Sequence, residues 1–462
     1  MNMLKFLFAN CSQIYMSSKR NVSSVIFRKF IFFNRFSYSS IMKNIPSLKL
    51  LATVAAIVTL ASNLSGCSSS DAATQTQYIP TGAPHLDHVW VVMMENHGYG
   101  QIVGNPNAPY INQLLNSSNV ANNYFAVGHP SLTNYLEVVG GSNFGVQSDN
   151  NTDWHNATCQ SNIVAGTNAN ESSSARICPI SGTGMDAATP AIDYTNEVTG
   201  TPGNPATGAW NIDGTASFGS ANTVGQSIAD QLATAGLSWR SYQENLPIVG
   251  ADKIDNSDGL ISNADDLKLL SNPQPTASNV VALYASKHNP FVYFQNVQQN
   301  GLSNIHGFDG IGGLYADLAT GNVPAYSFIA PNQCNDMHGK SGAGVFCAGD
   351  PNDNGTQTGL NPGLIYRGDQ SLQKLVNNIK GSPVWTKGNN AIVVLWDEND
   401  YSVNLPNHVV SLVVKNYGTT AAKSNVTYNH FSVLKTIEAG FGLPCLNHAC
   451  DASVSVMTDL FN

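Results

Sequence analysis

The chain has 462 residues, enough for one large α/β domain or two ordinary ones with a sizeable core. Charged residues make up only 11% of it while Gly, Asn, Ser and Thr abound, a balance common in exported proteins and unusual in a cytosolic enzyme. The formal charge of −9 disfavours nucleic acid as a partner, and the absence of internal repeats or heptads sets solenoids and coiled coils aside.

Residues 1–66 carry eight basic side chains (Lys5, Lys19, Arg20, Arg28, Lys29, Arg35, Lys43, Lys49) and no acidic one, which marks a targeting segment. Within it Met42 opens a signal peptide: Lys43 and Lys49 form the positive end, 50–60 the apolar stretch, and Leu64-Ser65-Gly66-Cys67 the cleavage site. That tetrapeptide resembles the bacterial lipobox, which implies that Cys67 becomes an acylated mature N-terminus and associates the protein with a membrane. Ser68, rather than Asp, follows it, so an exported lipoprotein of the outer membrane, facing the periplasm or the cell surface, is expected. Residues 67–84 are polar and lack periodicity, as in a flexible tether, leaving 85–462 as the folded domain. Without residues 1–66 the chain keeps 13 basic against 30 acidic residues, a charge of −17. An anionic substrate in so acidic a protein needs local positive charge, and a metal is the obvious supplier.

The apolar run 88–94 reads as a strand buried on both faces, and it leads directly into Glu95-Asn96. A helical pattern at 109–117 follows. Next, Gly128-His129-Pro130 makes a rigid turn before Ser131, with a helical pattern at 132–139. Ser131 is thereby placed at or near a helix N-terminus, where orphan amides and the helix dipole favour an alkoxide or a phosphate; an ordinary N-cap serine explains the same segment. From 140 to about 222 the chain is rich in Gly, Ser, Asn and Thr and reads as an irregular insertion or cap.

Helical patterns recur at 227–235, 279–287, 310–318, 369–379 and 431–439, and strand patterns at 291–295, 325–330, 391–396 and 409–415. Their alternation predicts an α/β fold, a mainly parallel central sheet flanked by helices. Ligands of such sheets bind beyond the carboxyl ends of the strands. The strand 391–396 ends there in Asp397-Glu398, so two acidic strand tips side by side would form an oxygen cage for a divalent cation. Calcium, magnesium or manganese suits such ligands, with iron or zinc still open. After the strand 325–330, Asp336 and His338 alternate along an extended segment and face the same way. Six cysteines beyond Cys67 fall into close pairs, Cys159 with Cys178, Cys334 with Cys347 and Cys445 with Cys450, and in an exported chain local disulfides are expected.

The segments VVMMENH, HPSLTNYLEVVGG, PNQCNDMHG, LWDEND and YNHFSVLKTIEAGFGL, in that order, resemble the bacterial and fungal phosphoesterase family of acid phosphatases and phospholipases C, within the alkaline phosphatase-like superfamily. The resemblance spans about 87–443 and implies an alkaline phosphatase-like fold. It further implies Glu95, Asn96, Asp397 and Glu398 as metal ligands, Ser131 as a nucleophile that also touches the metal, and Asn134 as a phosphate contact. His338 is expected to contact phosphate or protonate the leaving oxygen, with Asp336 orienting it or completing a second metal site. His129, His306 and His430 are further candidates for the site. Thr133 stands where many relatives have proline. The expected function is an exported acid phosphatase acting on small phosphate esters. Its alternatives are a phospholipase C-type phosphodiesterase acting on phospholipid and, in another class, an inactive surface-binding lipoprotein.

Overall fold

A computed structural model describes residues 78–144, 146, 149, 224–246, 249–250, 283–352, 354–399 and 407–462. The signal segment, Cys67, most of the tether, and most of the expected insertion with Cys159 and Cys178 lie outside the described residues.

In chain order the elements are β1 (His88–Met94), α1 (Tyr99–Ile102), α2 (Pro109–Ser117), β2 (Asn119–Phe125), α3 (Ser131–Gly140), α4 (Ile228–Ala235), β3 (Trp239–Gln243), β4 (Ile305–His306), α5 (Leu314–Thr320), β5 (Tyr326–Ala330), α6 (Pro362–Gly381), β6 (Asn390–Trp396), β7 (Ser411–Lys415), β8 (Lys423–Asn429), α7 (His430–Phe441) and α8 (Thr458–Phe461). The strands make one sheet in the order β4-β3-β5-β1-β6-β7-β2-β8. Every pairing is parallel except those of β7, which runs antiparallel to β6 and β2.

The middle of the sheet follows from composition. β1, β5 and β6 are almost wholly buried, and their unbroken apolar runs suit strands covered on both faces. Covering is supplied by two groups of helices: α6 packs on α2 and α5, while α3 packs on α7 and α4. The helix expected at 369–379 begins earlier, because Pro362 sits at its first turn and the Asn361 side chain accepts from the amides of Gly363 and Leu364. Asn429 caps α7 in the same way, and Gly442 ends it in the left-handed conformation. β2 and β8, at one edge, carry Asn and Thr on half-exposed faces.

Two expected elements need correction. Residues 291–295 are not a strand: Pro290–Tyr293 forms a 3-10 turn, and only Phe294 bridges, to Val224. Of the helix expected at 279–287, the described part holds only the 3-10 turn Ser286–His288. The cause is Pro290, which biases Asn289 away from helical angles and separates two tight turns, both packed on α3. Cys334–Cys347 and Cys445–Cys450 are disulfide-bonded as expected. Among the described residues no helix is long and apolar enough to cross a membrane.

Candidate active site

β1 and β6 run parallel with Met94 opposite Trp396, so the residues that follow them emerge side by side. Glu95, Asp397 and Glu398 are all buried there. The Asp397 amide donates to Met94 O at 2.9 Å, and the Asn96 amide donates to Asp397 Oδ1 at 3.0 Å. Asn96 takes φ +51°, a left-handed conformation that asparagine tolerates better than most residues, and it turns the chain away from the sheet.

Ser131 enters this cluster from α3. Pro130 holds the N-cap position and Ser131 is the first helical residue, so its hydroxyl is not used for capping. It donates toward Glu95 Oε2 at 3.2 Å and Glu398 Oε1 at 3.3 Å. Asn134 departs from its expected phosphate contact. Its Oδ1 accepts from the amides of Val127 and Gly128, and its Nδ2 donates to Gly128 O and to Glu398 Oε2 at 3.0 Å. Both amide hydrogens are thus engaged in fixing the turn and Glu398. His129 does similar work, with Nδ1 2.9 Å from Glu398 Oε2.

Three residues missed in the sequence complete the cluster. His288 lies between two carboxylates, Nε2 3.0 Å from Glu95 Oε1 and Nδ1 3.2 Å from Asp336 Oδ2, with its ring stacked on Tyr135. Lys287 Nζ donates to Asp149 Oδ2 at 2.7 Å and to His338 Nε2 at 3.1 Å. Their signal was the Asn289-Pro290 pair, which ends a helical pattern and leaves Lys287 and His288 in a tight turn rather than on a helix face. Asp149 lay inside a stretch whose composition carries no periodicity.

His338 and Asp336 both lie at the cluster, His338 against Lys287 and Asp336 against His288. His338 Nδ1 donates to Gly339 O at 2.8 Å, so Nε2 is the acceptor for Lys287. Burial and the Lys287 charge hold its pKa well below the ordinary histidine value. A neutral ring whose proton points at a backbone carbonyl is a poor general acid, which corrects that expected role. Asp336 Oδ1 accepts the His338 amide at 2.7 Å and so orients the loop.

The other two histidines diverge. His430 Nε2 donates to Asp397 O at 2.7 Å and its Nδ1 accepts from Tyr124 Oη at 2.8 Å, which makes it a prop beneath the strand tip. His306 is not brought to the cluster. It sits on β4, the far edge strand, bonded to Ser303 O, and its position there is set by sheet order.

The concentration of acids is electrostatically costly. Burial pushes the carboxyls of Glu95 and Asp336 up to about 7. Burial, then the charges of neighbouring acids, raises Asp397 and Glu398 well above the usual range. For Lys287, burial opposes the charge, but Asp149 and Glu95 outweigh it and raise the pKa. Burial opposes the Asp149 charge too, and Lys287 with the Leu132 amide outweighs it, so that carboxyl is held below its usual range.

A divalent cation fits this donor set. Asn96 Oδ1 is buried without a hydrogen-bond partner among the described residues, while the Asp397 side chain stands against Glu95, which with Glu398 faces Ser131 Oγ. Hard oxygen ligands at a point of excess negative charge suit such an ion. Glu95, His288 and His338 form a second group with ligating atoms within 4.8 Å of one another. There Lys287 already engages His338 Nε2, so the oxygen set fits better.

A model of the Phosphoesterase family matches residues 105–345, which include Ser131, Lys287, His288, Asp336 and His338. The chain is 24% identical over 408 residues to a phosphatidylinositol-3-phosphatase of Mycobacterium tuberculosis, covering 88% of this chain and 94% of that one. It is 22% identical over 405 residues to a probable acid phosphatase of Kluyveromyces lactis, covering 86% and 68% respectively. Among solved structures it overlaps a protein of the alkaline phosphatase superfamily from Vibrio parahaemolyticus at 13% identity and a TM-score of 0.39, over 80% of this chain and 72% of that one.

Proposed function

This chain belongs to the phosphoesterase family and is a phosphoric ester hydrolase, and from that premise we propose that it is an exported, acid phosphatase-type phosphomonoesterase with Ser131 as nucleophile. One observation carries the assignment: the Ser131 hydroxyl opens a helix without capping it and points between Glu95 Oε2 and Glu398 Oε1. Both relatives above are named as phosphatases, which favours monoesters over diesters.

Ser131 Oγ would attack phosphorus in line, breaking the bond to the ester oxygen; the serine proton would pass to a carboxylate it faces and on to the departing alcohol. Water would then cleave the phosphoserine, releasing phosphate and restoring the hydroxyl. Glu95, Asn96, Asp397, Glu398 and Ser131 would hold a divalent cation, which supplies Lewis-acid stabilisation of charge on the hydroxyl and phosphoryl oxygens. Lys287, held by Asp149 and His338 and acted on by the charges of Glu95 and Glu398, would offer its remaining N–H and its charge to a phosphoryl oxygen. His129 and Asn134 both grip Glu398 Oε2, so that carboxylate is aimed before substrate arrives. His430 does the same for the Asp397 backbone. A lipid on Cys67, outside the described residues, would tether the enzyme at the bacterial outer membrane.

The test compares an aryl phosphate, its diester analogue and a phospholipid, with and without chelator, for wild type and Ser131→Ala. The monoester is expected to turn over fastest, with loss of about three orders of magnitude or more in Ser131→Ala and in chelated enzyme. Full turnover by Ser131→Ala would remove the nucleophile, and a faster diester would make the protein a phosphodiesterase.

A further inference from the structure

Asp149 has no part in the chemistry above, yet it holds Lys287, which that chemistry uses, and a helix amide next to the nucleophile. Its Oδ1 accepts the Leu132 amide at 2.9 Å and its Oδ2 accepts the Lys287 ammonium at 2.7 Å, while that ammonium also donates to His338 Nε2 at 3.1 Å. Leu132 is the second residue of α3, so its amide is one of the helix N-terminal donors left over by the backbone and stands directly after the nucleophile. The side chains of Asp149 and Lys287 are 12% and 16% exposed, which places the pair at the inner edge of the cluster rather than in bulk solvent.

An oxyanion approaching Ser131 seeks a helix amide and a cation. Asp149 already engages one of each. Its carboxylate carries the charge and the paired acceptor oxygens of part of a phosphoryl group, and it bridges donors on α3 and on the turn Ser286–His288. Resting on the assignment of Ser131 and Lys287 above, we propose that Asp149 is a positioning residue that acts through Lys287 as an internal competitor for phosphoryl oxygens, lowering the affinity of the site for phosphate. Two effects share this sign: Asp149 draws on the ammonium that a phosphoryl oxygen would use, and its charge repels the incoming anion. Beside the divalent cation, Lys287 is the protein's own positive charge at this cluster, and Glu95 and Glu398 draw on it as Asp149 does. A weaker hold on the product phosphate favours its release after each turnover.

Inorganic phosphate is the probe, measured on the full chain both as a competitive inhibitor of aryl phosphate hydrolysis and by calorimetry. Asp149→Asn keeps an oxygen for the Leu132 amide and removes the charge. It is expected to bind phosphate about tenfold tighter, the scale of one partly screened charge interaction, with KM falling in parallel. Asp149→Ala, which also loses the helix contact, should shift phosphate affinity the same way, a direction that structural damage does not produce. Lys287→Met should weaken phosphate binding, and most of the gain from Asp149→Asn should vanish in that background. Unchanged or weaker phosphate binding in both Asp149 variants, beside a Lys287→Met that does weaken it, overturns this proposal alone. Unchanged affinity in Lys287→Met overturns it together with the assignment of Lys287, while Ser131→Ala turnover reports separately on the nucleophile.

Discussion

His430 shows how a buried side chain can support the cluster from beneath a strand tip. It is completely buried between the Asp397 carbonyl and the Tyr124 hydroxyl, and burial pushes its pKa down to about 4, so it is neutral across the physiological range. Its two nitrogens then have fixed roles, one donating and one accepting. His430→Leu leaves a carbonyl and a hydroxyl buried without partners, an expected loss of about 2–4 kcal/mol in denaturant unfolding, with a fall in kcat because the Asp397 tip loses its support. Unaltered stability would mean that water replaces the ring. The sequence allowed a site role for His430 but could not reveal its partner, which comes from a strand 306 residues away. Glu95, Asp397 and Glu398 were legible because a buried strand must end somewhere and these acids stand where it does. Ser131 needed the ordered motifs, since its local sequence alone is better explained by an N-cap. Lys287 and His288 were hidden by a pattern that looked helical until Pro290 broke it.

At the scale of elements, the position of Ser131 depends on the far end of α3. Gly141 ends that helix at φ +69°, and a Cβ there would lie 2.4 Å from the Leu446 carbonyl oxygen. The neighbouring segment clamps the same end: Asn447 Nδ2 donates to Gly140 O at 2.7 Å and the His448 amide donates to Gly141 O at 2.8 Å, inside the loop closed by Cys445–Cys450. Gly141→Ala therefore meets backbone rather than a movable side chain. An expected loss of about 2–4 kcal/mol in stability should accompany a drop in kcat, as α3 shifts and Ser131 leaves its two carboxylates. A variant with normal stability and turnover would show that this end of the helix is free to adjust. Buried apolar runs made the central strands legible, and alternation with helical patterns made the parallel sheet legible. β2 and β8 were not, because their Asn-rich faces at the sheet edge lack the hydrophobic signal by which strands are recognised.

For the whole molecule, the buried acids link folding to pH and to cation. Unfolded carboxyls titrate near 4, whereas Glu95 and Asp336 are pushed up to about 7 by burial, and Asp397 and Glu398 are raised as well. Between those values the native state binds more protons than the unfolded chain. The contribution of these groups is therefore present in full below about pH 4 and is lost as pH rises through about 7. Asp149, with its carboxyl held low, works the other way on the acid side of pH 4, and the lowered rings of His306, His338, His408 and His430 do so up to about pH 6.5. The raised acids, Glu244, Asp369 and Glu438 among them, outnumber those rings and act alone above that value. Metal-stripped protein should accordingly melt lower at pH 8 than at pH 5, by about 5 °C or more. A divalent cation binds the ionised carboxylates and not their protonated forms, so adding it should raise the melting temperature more at pH 8 than at pH 5 and flatten or reverse the trend. Differential scanning calorimetry of chelated and metal-supplemented protein at the two pH values measures both slopes. Stripped protein that gains stability from pH 5 to 8, or a cation effect equal at both, would mean that these acids are already neutralised within the fold.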